Sequence, residues 1–167
     1  MARHINDAGL DLIKMSEGLT VGASNISEAY LCPAGVWTIG YGHTKNVKEG
    51  DTASLEQCDI YLQEDLRDSV EAVERLIRVP LSGDQFAALV SFTFNCGGGA
   101  LEKSTLRKRL NLGDYDCVPY QLSRWCKATV NGRRVSLPGL VKRRAAEGVL
   151  FASSIADHGI PQKVELM

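Results

Sequence analysis

The chain has 167 residues, 44% apolar and 23% charged, with a formal net charge of −1. That profile fits one soluble globular domain, or two small lobes sharing a linking element, with enough core to fold without disulfides. No apolar run approaches the roughly 20 residues that cross a bilayer, and the polar opening MARHINDAG lacks the apolar centre of a signal peptide, so the expected place is a cytoplasm. The five cysteines, Cys32, Cys58, Cys96, Cys117 and Cys126, form no CxxC pair. This spacing argues against a metal site and against a secreted disulfide framework. The last four read as small buried hydrophobes.

In chain order, Asn6 or Asp7 is placed to cap a first helix and Gly18 to end it in the left-handed conformation. Leu10, Ile13 and Glu17 recur at helical spacing, which puts Glu17 on the apolar side. The segment AYLCPAGVWTIGYGHT, residues 29–44, alternates apolar residues around Pro33 and Gly35, as a hairpin followed by a glycine-punctuated strand would. KNVKEGD is a polar turn. Ser54 and Gln57 fit a capping box, and the stripe Leu55, Leu62, Leu66, Val70, Val73, Ile77 runs on to Pro80. It predicts one helix of about 25 residues, about 38 Å long, enough to join two lobes.

From Ser82 the pattern is helical. SGDQFAALVSFTFN is an almost wholly apolar central helix; KSTLRKRLNLGD, CVPYQLSRWCKA and LVKRRAAEGVLFAS are amphipathic helices separated by CGGGA, GDYD and VNGRRVSLPG. The expected fold is α+β. A sheet-bearing N-terminal lobe covers about 1–53, a linking helix about 54–79 and a helical C-terminal lobe about 80–154, with a frayed tail over 155–167.

The small net charge hides an asymmetry. Residues 1–100 carry 7 Lys+Arg against 14 Asp+Glu, and residues 101–151 carry 11 against 4. A basic second half fits a polyanionic partner, such as a cell-wall polymer or nucleic acid, and equally fits solvated helix faces. LRKRL comes without a groove-reading motif, which argues against nucleic acid.

A carboxylate ending a helix on its apolar side is partly desolvated, and desolvation disfavours the charged form. Glu17 therefore suits a general acid, although a surface glutamate before a cap has the same spacing. SEG at 16–18 is followed by AYxxPxGxWTIGYGHT, then FNCGGGALEKSTLRKRLNLGDY, then RW…LPGLVKRRAAE. Together and in this order they resemble the phage-type lysozymes, the family of the phage T4-type lysozyme and many phage endolysins, over most of the chain.

The resemblance implies a lysozyme-like fold with a cleft between two lobes. It also implies hydrolysis of the β-1,4 bond between N-acetylmuramic acid and N-acetylglucosamine in bacterial peptidoglycan, without metal or cofactor. By the same resemblance Glu17 is the general acid. Cys32 takes the position of the second acidic residue, before the hairpin turn, and Thr38 helps hold the attacking water. Phe94 and Asn95 fall where the family lines the cleft. Arg143, or its neighbour Arg144, falls where a basic residue approaches the catalytic glutamate, opposing the effect of desolvation. The implied partner is the peptidoglycan glycan strand, met by a monomer that does not insert into membranes. Such an enzyme waits in the host cytoplasm until a lesion, such as a holin's, admits it to the periplasm and wall.

The chain departs from the family pattern twice. Cys32 stands where aspartate is usual, and Glu17 and Cys32 lie further apart than in the family, the surplus falling within VGASNISE. Bulged out as a loop, the extra residues let the two groups meet; displacing the hairpin, they break the site. An inverting glycosidase needs a carboxylic acid for the leaving oxygen and a base for water on the opposite face. With a pKa near 8.5, about 3% of a free thiol is thiolate at pH 7. Cys32 thus needs a downward shift to act as base or nucleophile, and Arg143 is a candidate cationic neighbour.

Three alternatives stay open. Cys32 contributes little and Glu17 supplies most of the catalysis; the enzyme is a lytic transglycosylase, whose single glutamate acts as acid and then base while the sugar's 6-hydroxyl attacks; or the protein binds the wall without cutting. Glu28, four positions before Cys32 and on the same strand face by parity, is a candidate second acid or a solvated edge charge. His43 reads as a structural hydrogen-bonding group, and Tyr30, Trp37 and Tyr41 as sheet and cleft packing.

Overall fold

Ser82 opens the central helix with a complete capping box. Its hydroxyl accepts from the Gln85 N–H at 3.1 Å, and the Gln85 side chain accepts from the Ser82 N–H at 3.0 Å. In this computed structural model, which describes residues 3–19 and 21–156, that helix is α4 (Gly83–Cys96), and every residue from Gln85 to Thr93 is buried. The expected apolar centre of the second lobe is therefore where the sequence pattern puts it. Phe86, Leu89 and Phe92 join Ile13, Leu62, Val73, Leu101, Leu106, Leu122 and Phe151 in one core.

The first helix, α1 (Asp7–Glu17), starts at Asn6, whose Oδ1 accepts from the Gly9 N–H at 3.0 Å. The Asn6 Nδ2 donates to Asp84 Oδ1 at 2.7 Å and so ties the starts of α1 and α4 together. The two helices then touch at Gly9: a Cβ there would lie 2.5 Å from the Ala87 Cβ. The helix ends at Gly18, whose N–H returns to the Lys14 carbonyl. Its φ of 74° needs glycine, but its ψ of 155° is extended, not the left-handed helical conformation the sequence suggests.

The N-terminal sheet is two short antiparallel ladders. Strand β1 (Ile26–Glu28) pairs with β4 (Thr52–Ser54), Ile26 opposite Ser54; β2 (Tyr30–Leu31) pairs with β3 (Trp37–Thr38), Tyr30 opposite Thr38. The Ala29 N–H donates to the Asp51 carbonyl at 2.9 Å and joins them. VGASNISE is not a loose bulge. A tight turn, with Asn25 N–H bonded to Gly22 O and Asn25 at a φ of 56°, leads straight into β1. These residues form a turn and a strand, and the β2–β3 hairpin follows at Tyr30. Glu28 lies exposed in the first ladder, opposite Thr52, so it shares no strand with Cys32.

Beyond the hairpin, the Gly40 backbone presses on Cys58, and its N–H donates to the Ser27 hydroxyl. Buried His43 stacks on Tyr61 at 4.2 Å and sets Nδ1 3.0 Å from both Asp65 oxygens, which is the structural role expected of it.

The linking helix is not continuous. It divides into α2 (Leu55–Asp65) and α3 (Arg67–Leu76) at Leu66. The bonds from Leu66 N–H to Leu62 O and from Val70 N–H to Leu66 O still span the joint. Ser54 caps α2 by accepting from the Gln57 N–H, without the reciprocal half of the expected box.

The C-terminal lobe adds α5 (Gly98–Lys103), α6 (Thr105–Leu110), α7 (Val118–Ser123) and α8 (Pro138–Ala156). Two expectations fail here. CGGGA starts a helix, with Gly97 at its cap and Gly98 against Ala72, where a Cβ would approach to 3.3 Å. The stretch read as the end of a helix and a separator is instead a hairpin, β5 (Lys127–Val130) with β6 (Arg133–Ser136). Its Asn131-Gly132 turn has φ of 49° and 77°, the two positive values of a type I′ turn. The lobe is thus not purely helical. The expected tail begins inside α8, and residues 157–167 lie outside the described residues.

The contact at Gly9 seats the helix that carries Glu17. Gly9→Ala should lower the free energy of unfolding in urea by about 1–3 kcal/mol, the usual cost of overpacking. An effect below about 0.5 kcal/mol would show that the α1–α4 contact gives way easily.

Candidate active site

Glu17 is the last residue of α1, and the chain leaves at once through Gly18. Its side chain is 25% exposed, less desolvated than its place on the apolar side suggests. Arg143 of α8, 5% exposed, reaches across and donates from Nη1 to Glu17 Oε1 at 2.6 Å. Among the described residues Oε2 has no protein partner, which leaves it open to a substrate. Of the two arginines weighed from the sequence, Arg143 is the one that meets Glu17.

Arg143 is held from behind. Its Nη2 donates to the Ser91 carbonyl at 3.2 Å and its Nε to the Ser91 hydroxyl at 3.4 Å. The Ser91 hydroxyl in turn donates to Glu147 Oε1 at 2.7 Å. Glu147, fully buried one turn along α8, also takes Arg144 Nη2 on Oε1 at 2.8 Å, and its Oε2 sits 2.8 Å from Arg144 Nε in an ion contact that lacks hydrogen-bond alignment. Burial pushes the Glu147 carboxyl above the ordinary range, against the pull of Arg144, the Ser91 hydroxyl and Arg143. Arg144 lies 5.2 Å from the Phe92 ring centroid and donates to Cys96 Sγ at 2.9 Å. The sequence reading missed Ser91 and Glu147. The signal was available in RRAAE, where both arginines fall one helical turn before a glutamate.

The other group forms around the hairpin. The Cys32 N–H donates to the Val36 carbonyl, and its carbonyl accepts from the Gly35 N–H at 2.8 Å, closing the turn. The Val36 N–H, then the Ala34 N–H, with smaller help from the Thr38 hydroxyl and the Gly35 N–H, hold the Cys32 thiol below the ordinary thiol range. The shift comes from the turn itself and not from Arg143. Thr38 is buried, and its hydroxyl is directed to the Val36 carbonyl at 3.0 Å. The structure thus brings Cys32 to Thr38 and Glu17 to Arg143. Among the described residues no hydrogen bond or ion pair joins the two sets.

At the far end of α4, Phe94 is half-buried against the core and Asn95 is exposed. All five cysteines are free; Cys58 and Cys117 are buried as expected, whereas Cys96 and Cys126 are only partly so. Among the described residues no cluster of His, Cys, Asp and Glu has a metal-holding arrangement.

A lowered thiol value means more thiolate at neutral pH and faster alkylation. Iodoacetamide labelling with peptide mapping should modify Cys32 first. Its rate–pH midpoint should lie below that of Cys58, Cys96 and Cys117, whose thiols burial pushes up. Thr38→Val, which removes one donor, should move the Cys32 midpoint upward; an unmoved midpoint would exclude the hydroxyl from the thiolate's support.

The chain is similar to several known proteins. The family described as phage lysozyme matches residues 22–147. The endolysin of Acyrthosiphon pisum secondary endosymbiont phage 1 is 46% identical over 151 residues, covering 90% of this chain and 99% of that protein. Among solved structures, the muramidase domain of SpmX from Asticaccaulis excentricus is similar with a TM-score of 0.80 at 40% identity, covering 89% of this chain and 97% of that one. The endolysin from Escherichia coli O157:H7 phage FAHEc1 is similar with a TM-score of 0.81 at 38% identity, covering 92% and 96%. The chain belongs to the phage lysozyme family and is a glycoside hydrolase of the lysozyme type.

Proposed function

We propose that this chain is an endolysin that cuts the β-1,4 bond between N-acetylmuramic acid and N-acetylglucosamine in peptidoglycan, with Glu17 as its general acid. The observation that carries the reading is the Glu17 carboxyl held through one oxygen by buried Arg143 of α8, with its second oxygen free of protein partners among the described residues. Glu17 gives its proton to the glycosidic oxygen, which leaves as the 4-hydroxyl of N-acetylglucosamine. Water attacks the anomeric carbon of the muramic acid, Thr38 helps to place it, and Cys32 as thiolate takes its proton. Should Cys32 instead attack the carbon directly, water then releases the sugar from sulfur and Glu17 takes the proton back. The lowered thiol value supports a working Cys32 in either role.

Phe94 and Asn95 are read as lining the glycan cleft. The substrate needs no metal or cofactor from this site. In the cell we read the chain as a monomer that acts on the wall from the periplasmic side, after a holin-type lesion releases it from the host cytoplasm. A lytic transglycosylase is the second reading, because that chemistry requires no second carboxylate and Cys32 stands where one is usual.

The test is mass analysis of the glycan fragments released from purified peptidoglycan. Reducing muramic acid ends, lost by about 10²-fold or more in Glu17→Gln, are the expected result. Fragments lighter by one water would mean transglycosylation, and wall binding without release would end the enzyme reading. Cys32→Ser should lower the hydrolytic rate by about 10²-fold if the thiolate is the base; a near-normal rate would remove Cys32 from the chemistry.

A further inference from the structure

The proposed reaction uses Glu17 and engages Arg143, but it leaves unexplained a fully buried carboxylate directly behind them. Glu147 stands 3.4 Å from Arg143 Nε, while Arg143 Nη1 stands 2.6 Å from Glu17. One guanidinium therefore lies between two carboxylates, one partly exposed and one buried. We propose that Glu147 is a positioning residue for the reaction, a second carboxylate that shares the Arg143 cation with Glu17 and so sets how firmly Glu17 keeps its proton. This inference rests on the reading of Glu17 as general acid.

The surroundings of Glu147 support that role. From its own helix it faces Arg143 and Arg144; from α4 it faces the Ser91 hydroxyl, with the Cys96 thiol beyond Arg144; from α1 comes Glu17, beyond Arg143. The cluster thus sets two guanidinium groups against two carboxylates. When Glu147 is charged, the Arg143 charge is divided between two anions. When it is neutral, the whole charge falls on Glu17 and favours the carboxylate, which cannot act as an acid. Ionisation of Glu147 with rising pH thereby weakens the hold of Arg143 on the Glu17 carboxylate. Because burial pushes Glu147 upward, this ionisation falls above the ordinary glutamate range. There it would extend the alkaline side of the activity profile.

The chosen variant is Glu147→Gln, which keeps an oxygen to accept from Ser91 and Arg144 while removing the charge. Carbon-13 NMR of the glutamate carboxyls reads the effect without substrate. The Glu17 midpoint should fall in the variant. The alkaline limb of kcat/KM against pH should move the same way. In the unaltered protein, which needs no variant to fold, the Glu17 titration should show a second inflection at the midpoint of Glu147. A single-inflection Glu17 curve in the unaltered protein overturns the proposal, and so does an unmoved Glu17 midpoint in a folded variant. If the unaltered protein releases no glycan fragments, the muramidase reading fails, whereas the NMR coupling stands or falls separately.

Discussion

One buried guanidinium sets the terms for this structure. Arg143 sits at 5% exposure between the end of α1 and the middle of α4, and each of its three guanidinium nitrogens has a partner among Ser91, Glu147 and Glu17. Removing such a group from water costs several kcal/mol, offset only when the partners are close and well placed. That demand explains much of the surrounding packing. It requires α8 to lie along α4, it requires Ser91 in a helix that is otherwise apolar, and it requires a second carboxylate to balance Arg144. A cluster of this kind is a poor source of stability compared with well-packed hydrocarbon. Its value lies in holding a charged side chain in one orientation next to Glu17.

The two halves of the candidate site are held by different means. Glu17 depends on a contact between α1 and α8, through a partner 126 positions away. Cys32 depends on its own turn, since the amide groups that favour its thiolate come from residues at most four positions on. The hairpin is therefore a self-contained unit, and its attachment to the rest of the protein rests on a small cluster of Ile39, Ala53 and Cys58 and on the His43–Tyr61–Asp65 contact. A turn that makes its own electrostatic environment tolerates a change of neighbours.

Much of this was legible in the sequence, for reasons that differ by residue. Asn6, Gly18 and Ser82 announce helix ends because capping is local chemistry. The apolar run of α4 announces burial because no surface helix carries it. Glu17, Cys32 and Thr38 come from the family resemblance, and their spacing in the chain alone singles out none of them. The break at Leu66 was not legible, since nothing in QEDLRDS interrupts helical propensity and the hydrogen-bond ladder itself barely changes. The β5–β6 hairpin was legible and misread: Asn131-Gly132 is the strongest short hairpin signal, but the helical pattern on both sides hid it. Ser91 and Glu147 were hidden for another reason. A polar residue in an apolar stripe reveals its partner only when the helices are docked.

The distance along the chain between Glu17 and Arg143 also sets an order of events during synthesis. At about 5–20 residues per second a ribosome needs about 6–25 s to go from one to the other. Throughout that interval the growing chain holds the carboxyl but lacks the arginine that orients it. Local pieces such as the hairpin turn close early, because their contacts span only a few residues. The ion pair is a late, long-range contact, made only when α8 has emerged and settled against α4. A truncated or stalled polypeptide is thus chemically incomplete however well its first lobe has formed. This lysozyme-type hydrolase acquires its oriented carboxyl only once α8 has docked.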